Sequence, residues 1–267
     1  MARWAGGPKP RRSTEVNGSP RRSHASDEEV LSAHFRHVKD AMESSLGFNV
    51  QIAFPVFPQL PNLNATNIQN ALKHVGLSSL ALHNRVDYET DAAYAALGYR
   101  LCRNWRDQAR CQQEEAEMKP ERVLFVKFDN SSFSVVSIMM HSLPLKRPET
   151  YASTLDLGWW DLPVEELPKE RASFWARVND AIVHVVGTVA RVPSKIVLLG
   201  DHADDKEFRD VVKAGVWEAI EYDAEMLMQR NDGVVKELLV ARGAAELAFC
   251  AQYKDSSVKE SGNGSED

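Results

Sequence analysis

VLFVKF-DNSS-FSVVSIMMH, residues 123–141, reads as two strands folded back across a tight turn. Val123 to Phe128 is almost wholly apolar, as expected of a central strand covered on both faces. Asp129-Asn130-Ser131-Ser132 are turn formers, so Phe133 to His141 should pair back as a hairpin. Downstream, Tyr151 to Leu155 supplies a third strand. A helix from about Val164 to Ala190 follows, with Phe174, Trp175, Val178, Ile182, Val185 and Val186 as one apolar stripe, and Pro193 breaks it. Lys195 to Leu199 is a buried strand ending in Gly200. Glu207 to Ile220 is a helix, and Val235 to Ala251 a last, Ala-rich one. The order β-β-β-α-β-α with a further helix indicates a mixed sheet covered by helices.

Working outward, Ser26-Asp27 before Glu28-Glu29 starts a helix, because a capping side chain and acids both suit the positive helix N-terminus. Val30, Leu31, His34, Phe35, Val38 and Met42 continue it at helical spacing, and Gly47 ends it. Phe48 to Phe54 is β-rich and stops at Pro55. Asn64 to Val75 reads as a helix closed by Gly76, Ser79 to His83 as a short strand, and Thr90 to Cys102 as an Ala-rich helix. A polar stretch from Arg103 to Glu121 separates this half from the hairpin.

The chain has 267 residues, with 43% hydrophobic and 26% charged side chains, which is the composition of a globular protein. A net charge of -6 argues against a folded part that binds nucleic acid, since phosphate affinity needs a basic surface. No apolar run of membrane-spanning length occurs. Residues 1–25 carry six basic side chains against Glu15 alone, with almost nothing apolar, so they read as a disordered tail without the apolar core of a secretory signal. Residues 255–267 read as a second loose tail. Cys102, Cys111 and Cys250 are odd in number and unmatched in spacing, which suggests reduced thiols in the cytosol or nucleus.

Several segments resemble, in order, the ATPase domain of the heat-shock-70 and actin family. Asn49 to Pro58 with Thr66 to Leu77 is similar to the family's Val-Pro-Ala-Tyr-Phe strand and the helix after it. Glu89 to Gly98 resembles its Glu-Pro-Thr-Ala-Ala-Ala helix, Val123 to Ile138 its second phosphate hairpin, and Leu157-Gly158 its Leu-Gly-Gly turn. Ile196 to Gly200 resembles the adenosine-motif strand, and Ala241-Arg242-Gly243-Ala244-Ala245 the closing Ala-Tyr-Gly-Ala-Ala helix. The resemblance implies an α/β chain of ribonuclease-H-like mixed sheets with flanking helices. A first lobe over 26–110 would lack its opening hairpin and third strand, a polar linker would cover 111–121, and a second lobe 122–254.

It also implies ATP with Mg²⁺ as ligand, held by Asp129, Asn130, Ser131, Ser132, Gly158, Gly200 and Asp201, with Glu89 as the acid near the nucleotide. The chemistry departs from the family at those positions. Such a site cradles phosphate on glycine backbone amides and holds magnesium water with aspartates. The family's Asp-Leu-Gly-Gly-Gly-Thr-Phe-Asp stands here as Lys127-Phe128-Asp129-Asn130-Ser131-Ser132-Phe133-Ser134, with both aspartates and all three glycines replaced. Its Gly-Gly-Ser-Thr-Arg stands as Gly200-Asp201-His202-Ala203-Asp204, and carboxylates there repel polyphosphate.

The expectation is therefore a relative that has lost hydrolysis, with no cofactor assigned unless the site still takes ATP and Mg²⁺, and that binds an unknown protein partner or a second copy through its uncovered first half. An ATP-binding, weakly hydrolysing protein and an incomplete gene product are the alternatives. Asp201-His202 with Asp204-Asp205 reads as a capping loop rather than a metal cluster. His34 and His37 lack the partners of a zinc site, and Trp159-Trp160 closes a core edge or a partner interface.

Overall fold

The computed structural model describes residues 27–59, 63–80, 87–99, 101–140, 148–189, 191–228 and 238–261. The basic tail expected over 1–25 lies outside them. Helix α1 (Asp27–Leu46) ends at Gly47, whose φ of 74° is the left-handed conformation glycine adopts without a Cβ clash. The β-rich run after it is split at Pro55 into β1 (Ile52–Ala53) and β2 (Val56–Phe57). Helix α2 (Ala65–His74) opens with a reciprocal cap: Asn67 N donates to Asn64 Oδ1 at 3.1 Å. Strand β3 (Ser78–Ser79) pairs parallel to β1, and β4 (Asp87–Tyr88) parallel to β2. A small core of Val50, Phe57, Ile68, Leu72, Val75 and Leu77 forms around α2, and Phe35 of α1 packs on it.

Helix α3 (Glu89–Ala96) is shorter than the expected Thr90–Cys102, because Gly98 at φ 79° terminates it. The polar stretch expected to be a linker folds as helix α4 (Gln108–Glu117), capped by Asp107, which accepts from Arg110 N at 3.1 Å. That fold-back overturns the expectation of reduced thiols at two positions. It brings the Cα atoms of Cys102 and Cys111 to 5.2 Å, and the two are joined in a disulfide.

Strands β5 (Glu121–Phe128), β6 (Phe133–Met140) and β7 (Pro148–Thr154) form an antiparallel meander. Helix α5 (Pro168–Gly187) crosses to β8 (Lys195–Leu199), which pairs parallel to β5. Proline at the first position of α5 fixes its start later than the expected Val164. The sheet order is β7-β6-β5-β8, and Met228 bridges in parallel to Ile196 beyond β8. Helix α6 (Lys206–Ile220) is capped by Asp205, which accepts from Phe208 N at 2.8 Å.

Helix α7 (Leu239–Ser261) runs past Ala251 and through 255–261, which were expected to be loose. Once nucleated, a helix gains one hydrogen bond per added residue, so it can extend through polar residues that composition alone marks as loose.

Alternate residues of β5 bury on opposite faces. Leu124, Val126 and Phe128 meet α5 and α6, while Val123 and Phe125 meet Ala93 and Tyr94 of α3 and Leu239 of α7. Phe128 is fully buried against Phe174, Trp175 and Phe208, and burial of such a side chain contributes about 1.5–3 kcal/mol. Helices α3 and α7 cross very closely: a Cβ on Gly243 would lie 1.6 Å from the Ala92 carbonyl oxygen. The architecture is thus mixed α/β with helices on both faces of the main sheet. No helix among the described residues is long and apolar enough to cross a membrane.

Candidate functional site

The β5–β6 turn is closed by Asp129 N donating to Ser132 O at 2.9 Å. Two other loops pack onto it, and each approaches at a glycine. A Cβ on Gly158 would lie 2.5 Å from Ser131 C and Ser132 N. One on Gly200 would lie 2.4 Å from Phe128 O and 2.6 Å from Asp129 Oδ1, and Gly200 also has φ 93°.

Hydrogen bonds join the three loops. Trp159 N donates to Asp129 O and Trp160 N to Asn130 O, both at 2.9 Å, and His202 N to Phe128 O at 3.1 Å. Asn130 Nδ2 donates to Asp201 Oδ2 at 2.7 Å, and His202 Nε2 lies 3.0 Å from Asn130 Oδ1. The His202 ring stacks on Trp159 with centroids 4.0 Å apart and planes at 10°. Gly158 N donates to Asp161 Oδ2 at 3.0 Å.

The sequence candidates Asp129, Asn130, Ser131, Ser132, Gly158, Gly200 and Asp201 are therefore brought together in one cluster. Much of its donor capacity is already directed inward. Backbone amides that could face an anion, those of Trp159, Trp160, His202 and Gly158, donate to the protein's own oxygens.

Glu89 joins the cluster through a residue whose role sequence reasoning missed. Lys127 Nζ lies 2.7 Å from Glu89 Oε2 and 2.7 Å from Asp129 Oδ2. Its ammonium thus links the N-terminus of α3 to the end of β5. Burial raises the Glu89 carboxyl above its ordinary value, against the pull of Lys127. Burial also works to lower the Lys127 amine, but the carboxylates of Glu89 and Asp129 overcome it and hold the amine above its ordinary value. The available signal was a lysine inside an otherwise apolar strand, since a cation buried there needs anionic partners.

Beside this ion pair lies a void of about 10 Å³ lined by Gln59, Glu89, Thr90, Lys127, Ser134 and Ser153 among others, with room for about one water. Thr90 Oγ1 and Gln59 Oε1 are buried there without hydrogen-bond partners. The void has room for one small guest such as a water, and residues 129–132, 158 and 200 are not part of its lining. With two carboxylates around one ammonium, the local charge is of the wrong sign for phosphate.

Other sequence candidates do not assemble. His34 and His37 are exposed on α1. Asp205 caps α6, while Asp204 is exposed and lies 3.9 Å from Arg209. Trp159 packs on the core while Trp160 stays 75% exposed. Among the described residues the one cluster with metal-ligand chemistry is Cys102, Cys111 and Glu115, and the two sulfurs are bonded to each other. Comparison of the chain with protein-family models and with curated proteins found no match.

Proposed function

We propose that this chain is a relative of the heat-shock-70 and actin-like ATPase domains that has lost ATP hydrolysis and acts as a binding or accessory protein inside the cell. The observation that carries the reading is Lys127, whose ammonium sits between Glu89 and Asp129 on the strand position where the family has an aspartate. A cation built into the chain occupies the space between the acids that would otherwise orient a metal ion and its water. The three loops that would surround phosphate are stitched to one another, so the cradle is filled by its own side chains.

The sheet supports the ribonuclease-H-like part of the reading. Three antiparallel strands are followed by a helical crossover to a fourth strand parallel to the first, the arrangement that the resemblance implies. A binding role is supported by α1, where Val30, Val38, Met42 and Leu46 stay exposed beside Phe48. These residues suit a protein partner or a second copy.

The test is turnover: purified protein with Mg·ATP should release no phosphate above a Lys127→Ala control. Hydrolysis by the wild type that exceeds that control would overturn the reading in favour of an active ATPase.

A further inference from the structure

We propose that Cys102 and Cys111 form a reversible thiol–disulfide site that fastens the arm between the two halves onto α7 when oxidised and releases it when reduced. The arm leaves α3 at Gly98 and enters α4 after Asp107. Cys102 lies near its start, and Cys111 in the first turns of α4. Both are buried, at 7% and 2% exposure, and the bond closes a loop with a sequence separation of 9.

Inside that loop Trp105 meets Phe249 of α7 edge-on, with ring centroids 4.8 Å apart, and the Arg106 guanidinium lies 4.5 Å over the Trp105 ring. The arm is also held by Tyr99, which stacks on Tyr94 with centroids 4.8 Å apart, and by Leu101, which packs on Ala92, Ala95 and Leu247; in exposed positions, Glu114 of α4 accepts from Arg103 N at 2.6 Å and also from Asn104. Exposed contacts of this kind hold weakly, so the covalent link keeps the loop closed and Trp105 seated on α7. Because α7 crosses α3 at Gly243 and Ala92, the bond bears on the contact that joins the two halves of the chain.

The exchange partner is a small thiol of the glutathione class. Its thiolate attacks one protein sulfur and the other leaves as a thiolate that takes up a proton. A second thiol then resolves the mixed disulfide, so two thiols become one disulfide as the protein bond is reduced by two electrons. The inference rests on the intracellular part of the proposed function, because a disulfide in a reducing compartment is more often redox-active than structural. It does not depend on whether nucleotide binds.

The test uses full-length Cys250→Ser protein equilibrated across glutathione/glutathione-disulfide ratios, quenched, alkylated and weighed, with hydrogen exchange followed in parallel. The oxidised fraction should follow a two-electron curve. Exchange at 103–107 and around Phe249 should rise about tenfold as the bond opens, and Cys102→Ser should behave as the reduced form at every ratio. Four results would overturn the proposal: a bond that survives the most reducing buffer, thiols that never pair, arm protection indifferent to the bond, or a reduced pair that takes up equimolar Zn²⁺ and loses it in Glu115→Gln.

Discussion

Replacing Lys127 with methionine keeps the length of the side chain and deletes its charge. At 2.7 Å each ammonium–carboxylate contact carries about 6 kcal/mol of gross attraction at an effective dielectric of about 20, most of it offset by desolvation. Removing one partner of a fully buried pair costs about 3–5 kcal/mol. The side chains here keep 18% (Lys127), 11% (Glu89) and 24% (Asp129) exposure, so the expected loss is about 2–4 kcal/mol at pH 7.

The loss should depend on pH with a definite sign. Without Lys127, burial and Asp129 both raise the Glu89 carboxyl, so the folded variant binds a proton more tightly than the unfolded chain. Stability of the variant therefore rises as pH falls through the raised folded value toward the ordinary carboxyl range. The gap to wild type should narrow toward pH 5 and be widest at pH 7–8. Urea denaturation of wild type, Lys127→Met, Glu89→Gln and the double variant at these pH values measures it. A coupling of about 1–3 kcal/mol between the single changes is expected. Strict additivity, or a Lys127→Met gap that does not change with pH, would refute the reasoning.

Gly243→Val puts a side chain where a Cβ alone would lie 1.6 Å from Ala92 O, so we expect a loss above about 3 kcal/mol or failure to fold, checked by circular dichroism and thermal melting. Gly200→Ala meets both a left-handed φ and the Phe128 carbonyl and should cost about 2 kcal/mol or more. Gly187→Ala, in the last turn of α5 with nothing within 4 Å, should be neutral or gain up to about 1 kcal/mol. As pH rises past the ordinary lysine value of 10.5 and on through the raised folded value, the wild type should lose the stability contributed by charged Lys127; an alkaline titration of unfolding free energy reads this out.

The strands and helices of the second half were legible because their patterns are strong. Ile196–Leu199 is a continuous apolar run closed by a glycine, and β5 through the 129–132 turn shows the apolar and turn chemistry of a buried hairpin. Element ends were less legible where two local signals compete. Gly98 stops α3 despite the alanines around it, and α7 continues through a polar tail that composition alone marks as loose.

The candidate site was legible as three separate loops, from their turn residues and glycines, and the structure packs the 129–132 turn against Gly158 and Gly200. Its filling was not. Glu89 and Lys127 are 38 positions apart, and nothing local says that the carboxylate at the start of one helix closes on an ammonium from a distant strand. The same holds for Cys102 and Cys111, which only the fold-back of α4 brings together.

The central claim is that this cleft is closed by its own side chains and admits no nucleotide. Titration calorimetry of the wild-type protein with Mg·ATP and Mg·ADP, carried to about 1 mM ligand, tests it directly. The expected result is heat of dilution alone with both nucleotides. A saturable, stoichiometric isotherm with either one would contradict it.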